Sequence, residues 1–311
     1  MSPPHGPVVV LAGGTGGAKL ARGMLDVVGA SELMVIANPG DDVEIYGAYV
    51  SPDPDLVTFW LGDRIDARGW GIDGDTFAVM DGLRELGVEV WFHLGDRDLA
   101  LGLERARMLG AGATPTAAHR TLSRALGVQA AVLPATDHPV RTWITAGGQS
   151  LPFQEFMIRR HGQGPIDDVA FRGVAAAHPT PEVLEAVAAA RVVVIGPSNP
   201  VLSIGPMLAI PGFRDALRGG SAPVVAVSPL VRGAVLKGPT AACLQWAGHS
   251  LDSAGILAAY AGLLDGLVAD EPAGGVPVLE TDVLLDTPDA RAGVAARTLE
   301  FALGLRARAA T

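Results

Sequence analysis

Four glycines around a threonine, Gly13-Gly14-Thr15-Gly16-Gly17, run into Ala18-Lys19-Leu20 directly after the apolar stretch Val8–Ala12. A bend of this kind between a strand and a helix aims backbone N–H groups and the positive helix end at whatever lies above the strand. The ligand best suited to them is a phosphate. Gly13, Gly14, Thr15, Gly16, Gly17 and Lys19 are therefore candidate nucleotide-binding residues. Neither standard fingerprint is complete: Lys19 stands where a dinucleotide site has its last Gly or Ala, and Ala18-Lys19-Leu20 replaces the Gly-Lys-Ser/Thr of a P-loop. The same glycines would also serve a tight strand-to-helix turn that binds nothing.

Two acidic segments come next, Asn38-Pro39-Gly40-Asp41-Asp42 and Ser51-Pro52-Asp53-Pro54-Asp55. Read as extended chain stiffened by its prolines, the second puts Asp53 and Asp55 on one side. Mg²⁺ binds through one or two carboxylates together with substrate phosphate oxygens. A phosphate bend beside these acids is thus a phosphoryl-transfer constellation, with Asp42, Asp53 and Asp55 as candidate metal ligands and Asp53 and Asp55 as candidate catalytic residues. The plainer alternative is capping, with Asp55 as N-cap of a helix over 56–62.

Further along, Gly196-Pro197-Ser198-Asn199-Pro200 offers Ser198 and Asn199 to a nucleotide, or to their own backbone as turn-forming side chains. The run Trp91-Phe92-His93 would supply an aromatic shelf for a planar ligand, Arg97 a phosphate or carboxylate partner, and Asp98 a helix N-cap. Trp143 is a further aromatic of that kind. His119, His138, His161, His178 and His249 have no metal-ligand spacing, and no Gly-x-Ser-x-Gly elbow for acyl transfer is present.

These residues fall at the ends of short apolar runs: Val8–Ala12, Leu33–Ala37, 191–195 and 223–227, each leaving into Gly, Pro or polar sequence. Continuous apolar strands of this length predict a parallel sheet covered on both faces, an α/β fold of Rossmann-like type, whose ligands sit beyond the carboxyl ends of strands. Helical spacing over 98–110 and 115–126 predicts a small helical insertion, 97–126, within a core of 1–96 and 127–311. An antiparallel hairpin is expected from Arg141–Thr145 and Leu151–Phe156, with Pro152 restricted to an edge or bulge.

The chain of 311 residues is 49% hydrophobic and carries a net charge of −10. That charge removes the basic surface needed for non-specific binding to nucleic acid or anionic membranes, so a polyanionic partner must be met locally. The single Cys243 makes no internal disulfide, and neither a signal h-region nor a run long enough to span a membrane is evident, so a cytoplasmic location is expected.

Together, Gly13–Leu20, Asn38–Asp42, Ser51–Asp55, Gly69–Thr76, Leu94–Asp98, Phe153–Phe156, Gly196–Pro206, Val227–Pro229 and Ala241-Ala242-Cys243 resemble the 2-phospho-L-lactate transferase family, called phosphoenolpyruvate transferase in its bacterial branch, of coenzyme F-420 biosynthesis. The resemblance implies a Mg²⁺-dependent homodimer that moves a phosphoryl group bearing a three-carbon acid from a guanosine diphosphate-linked donor to the ribityl hydroxyl of 7,8-didemethyl-8-hydroxy-5-deazariboflavin, releasing GMP. It also implies that Gly13–Gly17 with Ser198 and Asn199 hold the donor, and that Asp55 and His93 meet the deazaflavin acceptor. His93 stands where the family usually has Lys or Gly. Two other readings compete. One is a nucleotide-sugar-binding regulator on the same core, whose loop reads Pro-Pro-Gly-Asp where this chain has Pro52-Asp53-Pro54-Asp55. The other is a nicotinamide-dependent oxidoreductase, which would require an acid at the end of the second strand, where Asn38 stands.

Overall fold

The computed structural model describes residues 6–309. Seven strands, β1 (Val8–Ala12), β2 (Leu33–Ala37), β3 (Ala131–Pro134), β4 (Val192–Ile195), β5 (Val224–Val227), β6 (Gly266–Ala269) and β7 (Val278–Glu280), form one sheet in the order β7-β6-β5-β4-β1-β2-β3. Every neighbouring pair is parallel. The α/β, Rossmann-like expectation therefore holds. Alternate residues of β1 serve opposite layers: Val9 and Leu11 belong to one core cluster, Val8, Val10 and Ala12 to the other. Burial on both faces is why the strands read as unbroken apolar runs.

From β1 the chain moves outward through β2 to β3, then returns to lay β4 against the other side of β1. The carboxyl ends of β1 and β4 thus flank the point where winding reverses, the crevice at which open α/β sheets bind ligands. Register places Leu11 beside Ile195, so the segments beginning at Gly13 and Gly196 emerge side by side. Among the described residues no helix is long and apolar enough to cross a membrane.

Several local expectations change. Helix α1 (Gly14–Val28) starts inside the glycine run, so Gly14, Thr15 and Gly16 form its first turn. Helix α2 (Pro52–Leu61) has Ser51 at its N-cap, so Asp55 lies within the helix and caps nothing over 56–62. Pro at the first helical position is pre-set for this, since its missing N–H would be unpaired there anyway. Residues two apart on a helix point about 200° away from each other, so Asp53 and Asp55 diverge instead of sharing a side. After α3 (Ala78–Glu85), helix α4 (Asp96–Gly110) begins two residues before the expected cap Asp98. Its first amides, those of Arg97 and Asp98, donate to the Asp75 carboxylate at 2.9 and 3.2 Å, while Asp96 accepts from Ala78 and Val79 at the start of α3, both at 3.0 Å. Helix α5 is Pro115–Ala125. The hairpin pairs Arg141–Ala146 with Gln149–Pro152, Pro152 ending an edge strand as expected. Phe153–Arg159, expected in part as strand, is helix α6.

Candidate active site

A cavity of about 950 Å³ opens at the reversal point. Gly13, Gly14, Thr15, Gly16, Lys19, Asp53, Asp55, His93, Ser198 and Asn199 all line it, so residues spread over 186 positions of sequence converge on one space. Gly17 and Asp42 do not. Gly17 is buried beneath the bend, where an added Cβ would meet Ser198 Oγ at 2.5 Å.

The first turn of α1 is built around two contacts. Gly13 donates its N–H to Ser198 Oγ at 3.3 Å, and Gly14 donates to Asp53 Oδ1 at 2.6 Å. A helix start leaves its first amides without intrahelical acceptors, so those of Thr15 and Gly16 remain to meet an anion from the cavity. Most of the glycines are explained by packing. A Cβ on Gly16 would lie 2.1 Å from the Pro197 carbonyl oxygen, whereas Gly14 is required by its φ of +65°. Gly16→Ala is accordingly expected to destabilise the fold by about 1–3 kcal/mol in urea denaturation, by overpacking a rigid backbone contact; an unchanged midpoint would show that the β4 exit can yield.

Asp53 is pinned by a second donor, Asn38 Nδ2, at 2.9 Å from its Oδ2. Asn38 Oδ1 in turn accepts from Gly40 N–H at 2.8 Å, a local turn that delivers Asp41 to the same place. Asp41 and Asp53 lie close enough to share a proton, and burial, reinforced for Asp41 by the Asp53 charge, raises both above the usual carboxylate range. Asp41 Oδ1 is buried without a hydrogen-bond partner. Asp42, the expected ligand, instead accepts from Ser51 Oγ at 2.6 Å and Tyr49 OH at 2.9 Å, on opposite oxygens. Its immediate neighbour in sequence takes the cavity position. No group of three or more His, Cys, Asp or Glu side chains arranged to hold a metal occurs among the described residues. What the chain presents is a carboxylate pair with a free oxygen, the donor set that Mg²⁺ completes with phosphate and water oxygens.

Asp55 faces the opposite way around α2. Both its oxygens engage the guanidinium of Arg105 on α4, which is only 1% exposed and also donates to the Tyr49 carbonyl at 3.0 Å. His119 on α5 approaches within 3.8 Å through Nδ1, which has no hydrogen-bond partner, while Nε2 lies 3.1 Å from Thr58 Oγ1. Burial holds this imidazole at about 4, so it is neutral at physiological pH. Sequence spacing carries no signal for the pairing of Arg105 or His119 with Asp55. Each is an ordinary residue of an amphipathic helix until α4 and α5 are packed against α2.

Other predicted residues occupy mixed roles. Asn199 Oδ1 accepts from Val201 and Leu202 N–H, and its Nδ2 donates to Cys243 Sγ at 3.4 Å, so its side chain shapes the loop. Lys19 Nζ lies 3.2 Å from Asp286 Oδ1. His93 stacks on Phe77, ring centroids 4.3 Å apart and planes within 10°, and both line the cavity with Phe92 and the exposed Trp70. Of the expected aromatic shelf, Trp91 lies under Arg159 and Trp143 under Arg172, and neither lines the cavity.

Asp98, released from capping by Asp75, also lines the cavity, and burial plus the nearby Asp55 and Asp75 charges push it up to about 7. A carboxyl raised on folding stabilises the fold below its unfolded value near 4 and loses that contribution as pH rises through its folded value. Wild type and Asp98→Asn are therefore expected to melt alike near pH 4, with the variant more stable by several degrees above pH 7. Thermal denaturation across this range checks it; a wild type that gained on the variant as pH rose would reverse the sign.

The family question is settled by sequence over the whole of this architecture. A model of the family described as 2-phospho-L-lactate transferase CofD matches residues 8–282. The chain belongs to this family. It is 38% identical to the 2-phospho-L-lactate transferase of Methanosarcina mazei, over 85% of this chain and 87% of that protein. It is 37% identical to the phosphoenolpyruvate transferase of Thermobifida fusca, over 97% and 99% respectively. A solved Bacillus halodurans protein of the upf0052 family has a similar fold, with a TM-score of 0.63 at 18% identity, covering 95% of this chain and 99% of that one.

Proposed function

We propose that this CofD-family chain transfers a phospho-three-carbon-acid group, 2-phospholactyl or phosphoenolpyruvyl, from a guanosine diphosphate-linked donor to the ribityl hydroxyl of 7,8-didemethyl-8-hydroxy-5-deazariboflavin, with GMP as leaving group, in coenzyme F-420 biosynthesis. The names of its relatives supply the substrate class. The observation that carries the reading is one cavity in which helix-start amides, a carboxylate pair and an aromatic wall face each other. At about 950 Å³ it has the size of a site that encloses a nucleotide and a ring system.

In this reading the acceptor hydroxyl oxygen attacks the phosphorus that bears the three-carbon acid, and its proton passes to solvent. The bond from that phosphorus to the bridging oxygen breaks, and the electron pair leaves with GMP. Thr15 and Gly16 amides bind the donor phosphates, with Gly13, Gly17, Ser198 and Asn199 shaping the bend beneath them. Asp53 and Asp41 would hold Mg²⁺, which when bound neutralises phosphate charge as it builds toward the leaving group. Asp55, tied to Arg105, orients the acceptor side of the cavity, and His93 with Phe77 offers its ring system a stacking surface. A homodimer and a cytoplasmic location complete the proposal.

Ligand-induced thermal stabilisation tests the donor assignment, since a ligand that binds only the folded state raises its melting temperature. GDP with Mg²⁺ is expected to stabilise the chain, and UDP-sugars and NAD to leave it unchanged. Selective stabilisation by UDP-sugars would favour the regulatory alternative.

A further inference from the structure

The cavity is unevenly charged. Asp41, Asp53, Asp55, Asp75, Asp98 and Asp286 line it, against only Lys19, Arg68 and Lys237. Lys19 is ion-paired with Asp286 and Arg68 with Asp66. Lys237 is the one cavity-lining cation with no ion pair among the described residues.

Its position follows from the sheet. Strand β5 lies beside β4, Ala226 opposite Ile195, so its exit opens next to the loop that carries Ser198. That exit runs through Ser228-Pro229 into a two-stranded hairpin, Leu230–Val231 with Ala234–Val235, and then Leu236-Lys237-Gly238. The hairpin is fixed at both ends: at its foot Leu230 donates to Ser228 Oγ at 3.2 Å, and at its turn Arg232 N–H donates to the Asp270 carboxylate. Val231, Val235, Leu236 and Lys237 all line the cavity, although Leu236 is 59% exposed. An unpaired ammonium on a flexible stem is thereby delivered to the rim of an acidic cavity at the reversal point.

Asp55 is paired with Arg105 and Asp286 with Lys19, but Asp41, Asp53, Asp75 and Asp98 have no cationic side-chain partner among the described residues, so a diphosphate entering this cavity still meets carboxylate repulsion. We infer that Lys237 is a substrate-binding residue whose ammonium contacts the diphosphate of the nucleotide donor. It thereby sets affinity for phosphate-bearing ligands instead of recognising the base. The inference rests on the donor reading above and adds to it the residue that supplies the compensating charge. Lysine suits the role as a mobile point charge able to follow a phosphate, and one charge-assisted contact of this kind changes affinity by about 10- to 100-fold.

The test is calorimetric titration of the full chain with GDP and Mg²⁺, with UDP and guanosine as further ligands, for wild type, Lys237→Gln and Lys237→Arg. Lys237→Gln is expected to weaken GDP about 10- to 100-fold and to flatten the dependence on salt, Lys237→Arg to recover most of the loss, and guanosine affinity to stay the same in all three. Equal GDP binding by wild type and Lys237→Gln would overturn the inference, as would a parallel loss of guanosine binding, which indicates a distorted loop. If wild type binds UDP but not GDP, the donor reading fails while Lys237 is judged by the same comparison on UDP. Binding of neither diphosphate overturns both.

Discussion

Replacing Asp53 with Asn is expected to lower turnover by about 10²- to 10⁴-fold while leaving the melting temperature at or above that of wild type. The two halves of this expectation have separate causes. Asp53 is the junction of the site: it accepts from Gly14 at the start of α1 and from Asn38 at the end of β2, and it faces Asp41. An amide keeps one acceptor for Gly14 but turns an NH₂ toward the NH₂ of Asn38 and removes the charge on which the proposed metal site depends. Stability is spared because a buried carboxylate pair costs free energy in the folded state, and neutralising one member relieves it. GMP release in a coupled assay and a thermal melt read the two effects independently. Full turnover in the variant would remove Asp53 from the chemistry.

The largest stability effect belongs to Arg105. Replacement with Met leaves Asp55 buried without its guanidinium, and the loss is expected to reach about 3–5 kcal/mol in urea denaturation. Most of that figure is the cost of an uncompensated carboxylate, so the double variant Arg105→Met/Asp55→Leu should recover a large part of it. His119, neutral and 3.8 Å away, cannot replace the lost cation. If the single and double variants unfolded at the same denaturant concentration, the ion pair would not be what couples α2 to α4.

The parallel sheet was readable from sequence because strands buried on both faces leave a simple record: short apolar runs that end in Gly, Pro or polar residues. Val8–Ala12 and Leu33–Ala37 match their strands residue for residue. The convergence of Gly13, Asp53 and Ser198 was accessible for a related reason, since chemistry in such sheets gathers at strand exits. Prolines were the weak point. Pro52 and Pro54 suit a stiff extended segment, yet Pro is equally suited to a first helical turn, and that single choice reverses the relation of Asp53 to Asp55.

Which of two adjacent acids faces the cavity was likewise out of reach. Asp41 and Asp42 are alike in composition, and the turn made by Asn38 and Gly40 decides between them. Arg105 and His119 lay beyond reach because their partners are fifty or more positions away and their helices would look the same with those residues on a solvated face. The substitution of Asp75 for Asp98 as the cap of α4 is of the same kind: a long-range carboxylate displaced the local one.

The most direct test is a reaction with purified chain, Mg²⁺, the deazaflavin acceptor, and a guanosine diphosphate-linked donor carrying a lactyl or an enolpyruvyl group, followed by chromatography. GMP and an acidic deazaflavin product are expected in equal amounts with at least one of these donors. A chain that binds GDP but forms no such product with either donor would contradict the proposed transfer.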